Sequence, residues 1–172
     1  MDGVIRKLKP EEREMLDTFL YEAIFVPEGA EAPPRDIINR PELQVYVEDF
    51  GNREGDIGFV AEINQSIAGA VWARRMDDYG HVDDETPSLA ISLLKEYRHR
   101  GIGTELMKTM LDALKTRGCK SVSLSVQKQN HAVRMYKKAG FQIVRDKEEE
   151  YIMVCPLEGG TGPCESPRVA KK

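Results

Sequence analysis

Cysteine is scarce in this chain of 172 residues. Cys119, Cys155 and Cys164 form an odd, scattered set without metal-ligand spacing, and they read as reduced thiols of an intracellular, cytoplasmic protein. Long hydrophobic runs are missing too. No apolar stretch approaches the ~18–20 residues that span a bilayer. The opening MDGVIRKLKPEE lacks the hydrophobic region of a secretory signal. There is no excess of positive charge. A net charge of −4 favours neither nucleic acid nor an anionic membrane as partner. Internal repeats and linkers are absent from the body of the chain. What remains is 41% hydrophobic and 31% charged residues, the composition of one soluble domain with a substantial core.

Periodicity organises that domain. GVIRKLK alternates as a short strand. PEEREMLDTFLYEAIF opens with Pro10 and acids, then places Met15, Phe19, Leu20 and Ala23 at helical spacing. RPELQVYVEDFG reads as a second, shorter helix. IGFVAEI and SIAGAVWARRM flank the turn-like Asn64-Gln65 as a hairpin. An acidic loop, DDYGHVDDET, leads to a third strand of this group, PSLAISLL. A long helix follows, then the strand KSVSLSV, the helix NHAVRMYKKAG, and two closing strands in FQIVRDKEEEYIMVCPL. The order β-α-α-β-β-β-α-β-α-β-β predicts a mixed sheet with helices on both faces, in one α/β domain over residues 1–157. The Gly/Pro-rich residues 158–172 read as a disordered polar tail.

The chemistry concentrates in RHRGIGTEL, at the mouth of the long helix. A P-loop needs four residues between its glycines and a Gly-Lys-Ser/Thr, which are not here. A dinucleotide fingerprint needs a third small residue where Leu106 stands and an acid about 20 residues on, which Lys120 to Val126 does not supply. The remaining pattern, Arg/Gln-x-x-Gly-x-Gly/Ala opening a helix, fits at Arg98, Gly101 and Gly103. The first turn of a helix leaves its N–H groups unpaired, and the macrodipole adds about half a positive charge there. Glycines without a Cβ let a diphosphate reach those groups. Arg98, His99 and Arg100 raise the local potential, and Ile102 and Thr104 belong to the same turn. A plain strand-to-helix turn with solvated basic residues would look similar.

A second segment, QNHAVRMYKKAGFQIV, stands about 30 residues further on. Together the two segments resemble the GNAT superfamily of N-acetyltransferases. That family's second motif, Asn-x-x-Ala-x-x-x-Tyr-x-x-x-Gly-Phe, finds here Asn130, Val133 in the approximate place of Ala, Tyr136, Gly140 and Phe141. AISLLKEYRHRGIG resembles the family's fourth strand, with Lys95 in place of a usual Pro and His99 in place of a usual Gly. The resemblance runs from Val4 to about Leu157. It implies the GNAT fold, a single-domain α/β sheet whose splayed central strands are flanked by helices on both faces. It implies acetyl-CoA as co-substrate, no metal, and transfer of acetyl to a primary amine by direct attack through a tetrahedral intermediate. A bulge at Ile91-Ser92-Leu93 would part this strand from SLSV and leave backbone groups for the pantetheine amides. The Leu93 N–H would hold the oxyanion, and Tyr136 would protonate the departing thiolate as general acid.

Bland readings stand beside these roles. Ala132, Val133 and Tyr136 share one helix face, so Tyr136 also suits a core aromatic. Asn130 suits an N-cap as well as a cofactor contact. For the base that takes the amine proton, Glu85 at the strand entrance leads, with His81 behind it, although the loop also reads as solvated acid. Six of the nine residues from Asp77 to Glu85 are acidic or His, and DKEEE adds more, so an acceptor cleft between them would favour a cation. Trp72 and Tyr79 are further pocket candidates, Trp72 fitting the core better. A non-catalytic acyl-CoA sensor is the alternative function. A homodimer accords with the family's habit.

Overall fold

A computed structural model describes residues 3–157, and the tail expected over 158–172 lies outside them. The elements run β1 (Gly3–Lys7), α1 (Leu16–Ala23), α2 (Pro41–Gln44), β2 (Ile57–Ile63), β3 (Ser66–Arg74), β4 (Ser88–Leu93), α3 (Ile102–Thr116), β5 (Ser121–Gln127), α4 (Ala132–Ala139), β6 (Gln142–Asp146) and β7 (Glu150–Pro156). This is the order that periodicity predicts. The sheet has strand order β1-β2-β3-β4-β5-β7-β6, antiparallel throughout except for the parallel pair β4–β5.

Each face of the sheet carries its own core. Side chains alternate along a strand, so Val71 and Ala73 of β3 face one way and Ala70 and Trp72 the other. On the first face α3 buries Ile102, Leu106, Met107, Met110, Leu111 and Leu114, one stripe at i, i+4, i+5 and i+8 spacing. Burying each such side chain stabilises the fold by roughly 1.5–3 kcal/mol before entropy is counted. On the second face Leu16, Phe19 and Leu20 of α1 pack with Tyr46, Val47, Phe50 and Trp72. Both faces being covered, the central strands read as near-continuous apolar runs. Trp72 is core, and its indole N–H donates to Tyr46 O at 3.0 Å. Asn64 and Gln65 both take positive φ (51° and 67°), the backbone of a tight hairpin turn.

The first and second helices depart from expectation in detail. Pro10–Met15 is 3₁₀ before α1 begins. RPELQVYVEDFG is helical only over α2, then continues as irregular turns to Asp49, whose φ is 52°. A buried ion pair replaces helix there. Arg74, fully buried at the end of β3, donates from Nε and Nη2 to the two oxygens of Asp56 (3.0 and 2.8 Å), and from Nη1 to Val45 O and Glu48 O. One guanidinium thus holds carbonyls that a longer helix would have paired. Of the three thiols read from the sequence, Cys155 is free and buried, and Cys164 lies outside the described residues. Among the described residues no helix is long and apolar enough to cross a membrane.

Candidate active site

The site begins where β4 and β5 part. They pair at a single position, Ser88 with Ser123, supported by Ser123 N–H donating to Pro87 O at 2.9 Å. Beyond it the strands diverge, and a cleft of about 1620 Å³ opens, lined by Leu89–Leu93 on one side and Leu124–Gln127 on the other. The bulge expected in β4 is absent: β4 keeps unbroken register with β3 from Ser88 to Leu93. The gap comes from divergence of β5, not from a kink in β4.

Backbone alternation decides which groups face the gap. Leu94 N–H donates to Ala68 O at 2.9 Å, so that pair and every second one bond towards β3. The N–H and C=O of Ile91 and Leu93 therefore point away from β3, into the cleft. Ser92 does not: its backbone bonds towards β3, and its hydroxyl donates to Phe19 O at 2.6 Å. Ser92 lines the cleft, but with its hydroxyl hydrogen already given to Phe19 O it can offer a cofactor only hydroxyl lone pairs. On β5, Ser123 N–H points at β4 while Leu157 N–H bonds Lys120 O on the other side, which leaves the backbone of Ser125 and Gln127 facing the gap.

At the wide end α3 starts. Gly101 adopts φ 85°, accessible to glycine without strain, and precedes the first helical turn. The first bond of the helix is Glu105 N–H to Gly101 O at 3.2 Å, so the N–H groups of Ile102, Gly103 and Thr104 precede any intrahelical partner. Gly101 is surrounded by open space, and the nearest atoms to a Cβ on Gly103 would be Met135 Sδ, Leu93 Cδ1 and Met135 Cε, at 3.6, 3.7 and 3.9 Å. Residues Gly101, Gly103, Thr104 and His99 line the cleft. The Ile102 side chain lies in the core, leaving only its N–H for a ligand. His99 has φ 65°, a left-handed conformation that costs a non-glycine residue about 1–2 kcal/mol. Arg98 lines the cleft with its guanidinium partly engaged: Nε donates to Leu93 O (3.1 Å) and Nη2 pairs with Glu22 (3.1 Å), tying α1 to the end of β4. Arg100 lies over the Tyr97 ring at 5.5 Å and outside the cleft lining.

From the opposite wall α4 contributes Ala132, Met135 and Tyr136, while Val133 packs against the core. Counted back from Tyr136, Ala132 rather than Val133 holds the motif's alanine place. Asn130 Oδ1 accepts from Ala132 N–H at 2.9 Å and so fixes the helix start, leaving its amide N–H groups towards the cleft it lines. Tyr136 is 8% exposed, its ring 5.9 Å from Phe141. Burial pushes its phenol up to about 12, so it is protonated at neutral pH. Tyr136 is thus part of the core, as one reading expects, and also lines the cleft.

The acidic loop behaves differently from its composition. Glu85 is exposed and outside the cleft lining, in a turn where its N–H bonds Asp83 Oδ1. His81 faces a smaller outer cleft, its Nδ1 bonded to Met76 O at 2.9 Å. Only Tyr79 of that loop reaches the main cleft, whereas Lys147 to Glu150 of the closing hairpin line its rim. Tyr46 and Ser125 also line the cleft, and no motif marked either. Gly80 explains how the loop reaches the sheet: a Cβ there would stand 3.0–3.2 Å from the backbone of Leu124 and Ser125.

The site is thus a parted parallel strand pair with a glycine-rich helix start at its wide end. The model of the Acetyltransferase (GNAT) family matches residues 20–141, more than half of the chain, and the chain belongs to that family. The N-alpha-acetyltransferase of Sulfurisphaera tokodaii is 31% identical over 115 residues, covering 58% of this chain and 68% of that protein. The Xenopus laevis protein named "Probable N-acetyltransferase camello" is 34% identical over 85 residues, covering 49% of this chain but only 37% of its own length. The PaiA N-acetyltransferase of Thermoplasma acidophilum, solved in complex with coenzyme A, has the same fold, with a TM-score of 0.65 over 91% of this chain and 99% of that one at 22% identity.

Proposed function

We propose that the protein is an acetyl-CoA-dependent N-acetyltransferase whose acceptor is a primary amine carried on a cation: a small amine, a lysine or an N-terminal amine. The observation that carries the reading is the β4–β5 gap itself, with strand backbone facing it from both walls and helix N–H groups without intrahelical partners at its mouth. Acetyl-CoA supplies an acetyl group already activated as a thioester. The N–H groups of Ile102, Gly103 and Thr104 donate to its diphosphate, where the helix dipole also favours negative charge. Ile91 and the β5 backbone bond the pantetheine arm as an added strand would.

Leu93 N–H polarises the carbonyl and stabilises the charge that develops on its oxygen, a donor worth ~3–4 kcal/mol in such sites. Tyr136, held protonated by burial, gives its proton to the sulfur as the C–S bond breaks. Asn130 orients the arm while capping α4. Glu148 to Glu150 at the rim attract a cationic acceptor. Arg98 acts on the site by fixing Leu93 O.

Release of coenzyme A with a panel of spermidine, a lysine peptide and a free N-terminal peptide tests this. Wild type is expected to turn over at least one amine. Tyr136→Phe should lower kcat by roughly 10²–10⁴-fold while keeping acetyl-CoA affinity. Tight acetyl-CoA binding without turnover on any amine would replace the enzyme with an acyl-CoA-binding module.

A further inference from the structure

The narrow end of the gap holds a carboxylate that the roles above leave unused. Asp78 lies in the loop after β3. Its Oδ1 accepts from Ser88 Oγ at 2.7 Å, and Ser88 is the one β4 residue paired with β5. Its Oδ2 is buried and has no hydrogen-bond partner. A buried polar oxygen left unpaired is costly and rare in native proteins, and it asks for a reason. The neighbour supplies one. The Tyr46 hydroxyl lies beside Asp78, the Ser125 side chain and the Tyr79 N–H, and Tyr46 itself is 7% exposed while lining the main cleft. Burial first, and then the Asp78 charge, push the Tyr46 phenol far up, so it is neutral at any working pH. A neutral phenol with the cleft on one side and an unpaired carboxylate on the other is arranged to pass a proton.

We propose that Tyr46 and Asp78 form the proton exit for the attacking amine, Tyr46 meeting the amine and Asp78 acting behind it as the positioning and accepting partner. This rests on the acetyltransferase reading. The ammonium gives a proton to Tyr46 Oη as Tyr46 passes its own to Asp78 Oδ2, so the phenol ends neutral, the amine gains a lone pair and the carboxylate becomes a neutral acid. The nitrogen then bonds the carbonyl carbon, the C–S bond breaks, and the sulfur takes the Tyr136 proton. The second proton shed by nitrogen restores Tyr136, and the one on Asp78 leaves to solvent with product. The charged groups around Asp78 are Glu42, Asp77, His81, Arg145 and Lys147, which line the outer cleft with it.

The test uses Tyr46→Phe and Asp78→Asn in the full chain, with the best amine of the panel and with hydroxylamine, which is already neutral at the assay pH. On the ammonium acceptor both variants should lose about 100-fold or more in kcat, recover rate as pH rises towards the acceptor's own pKa, and bind acetyl-CoA as wild type does by calorimetry. On hydroxylamine the loss should shrink to a few-fold. Should Asp78→Asn fail to fold, Tyr46→Phe carries the test. Wild-type kcat in both variants, or equal losses on both acceptors, would overturn the proton exit alone. A wild type that releases no coenzyme A with any amine would overturn the acetyltransferase reading beneath it.

Discussion

Tyr136 joins core and chemistry in one side chain. Its phenol ionises near 12 in the folded protein against an ordinary value of ~10, because burial disfavours the anion. The unfolded chain therefore loses this proton first. The contribution to stability is intact below pH ~10 and disappears as pH climbs towards 12, a loss of about 2–3 kcal/mol for this group. Urea unfolding of wild type and Tyr136→Phe at intervals between pH 9 and 12 should show the mutant's stability falling less steeply; parallel curves would mean that the phenol is not buried. Arg74 and Asp56 make a different residue-scale claim. Asp56→Ala leaves a guanidinium with no exposure beside two carbonyls and no counter-charge, and removing one partner of such a pair costs about 3–5 kcal/mol. Denaturant midpoints check it, and a loss below 1 kcal/mol would mean that water reaches the pair.

At the scale of elements, α3 is the piece most exposed to test. Gly103→Val fills the space where a diphosphate would meet the helix start, while the nearest protein atoms, at 3.6 and 3.7 Å, belong to the pliable Met135 and Leu93 side chains. Acetyl-CoA affinity should fall by tenfold or more, about 1.4 kcal/mol, with a Tm close to wild type. Unchanged affinity in calorimetry would place the diphosphate elsewhere. Elements of this kind were legible in the sequence because periodicity is local: the apolar stripe of α3, the alternation of β5 and the Asn64-Gln65 turn each declare themselves within a dozen residues. What local patterns could not carry was pairing between distant segments. RPELQVYVEDFG has the signals of a helix, yet Arg74, 18 residues after Asp56, supplies partners to its carbonyls and the helix stops. The parting of β4 from β5 was readable only through a resemblance, which also suggested a bulge that the β3–β4 register lacks.

The whole molecule brings together what the sequence keeps apart. Gly101, Asn130 and Tyr136 carried motif signals and line one cleft. Tyr46 carried none, and Asp78 and Ser125 were marked only as members of the acidic loop and of SLSV, since the three come from separate segments and meet only when the loop at Gly80 lies against β5. Glu85 had the right chemistry in the wrong place, because a turn faces it outwards. The central claim is that acetyl-CoA enters the gap with its diphosphate on α3 and its thioester against β4. Backbone amide shifts recorded by NMR during titration of the full chain with acetyl-CoA test it most directly. The largest changes are predicted at Gly103, Thr104, Ile91, Leu93 and Ser125, on both walls of the gap. Changes confined to β1, β2 or the outer face of β6, with those five amides unmoved, would contradict it.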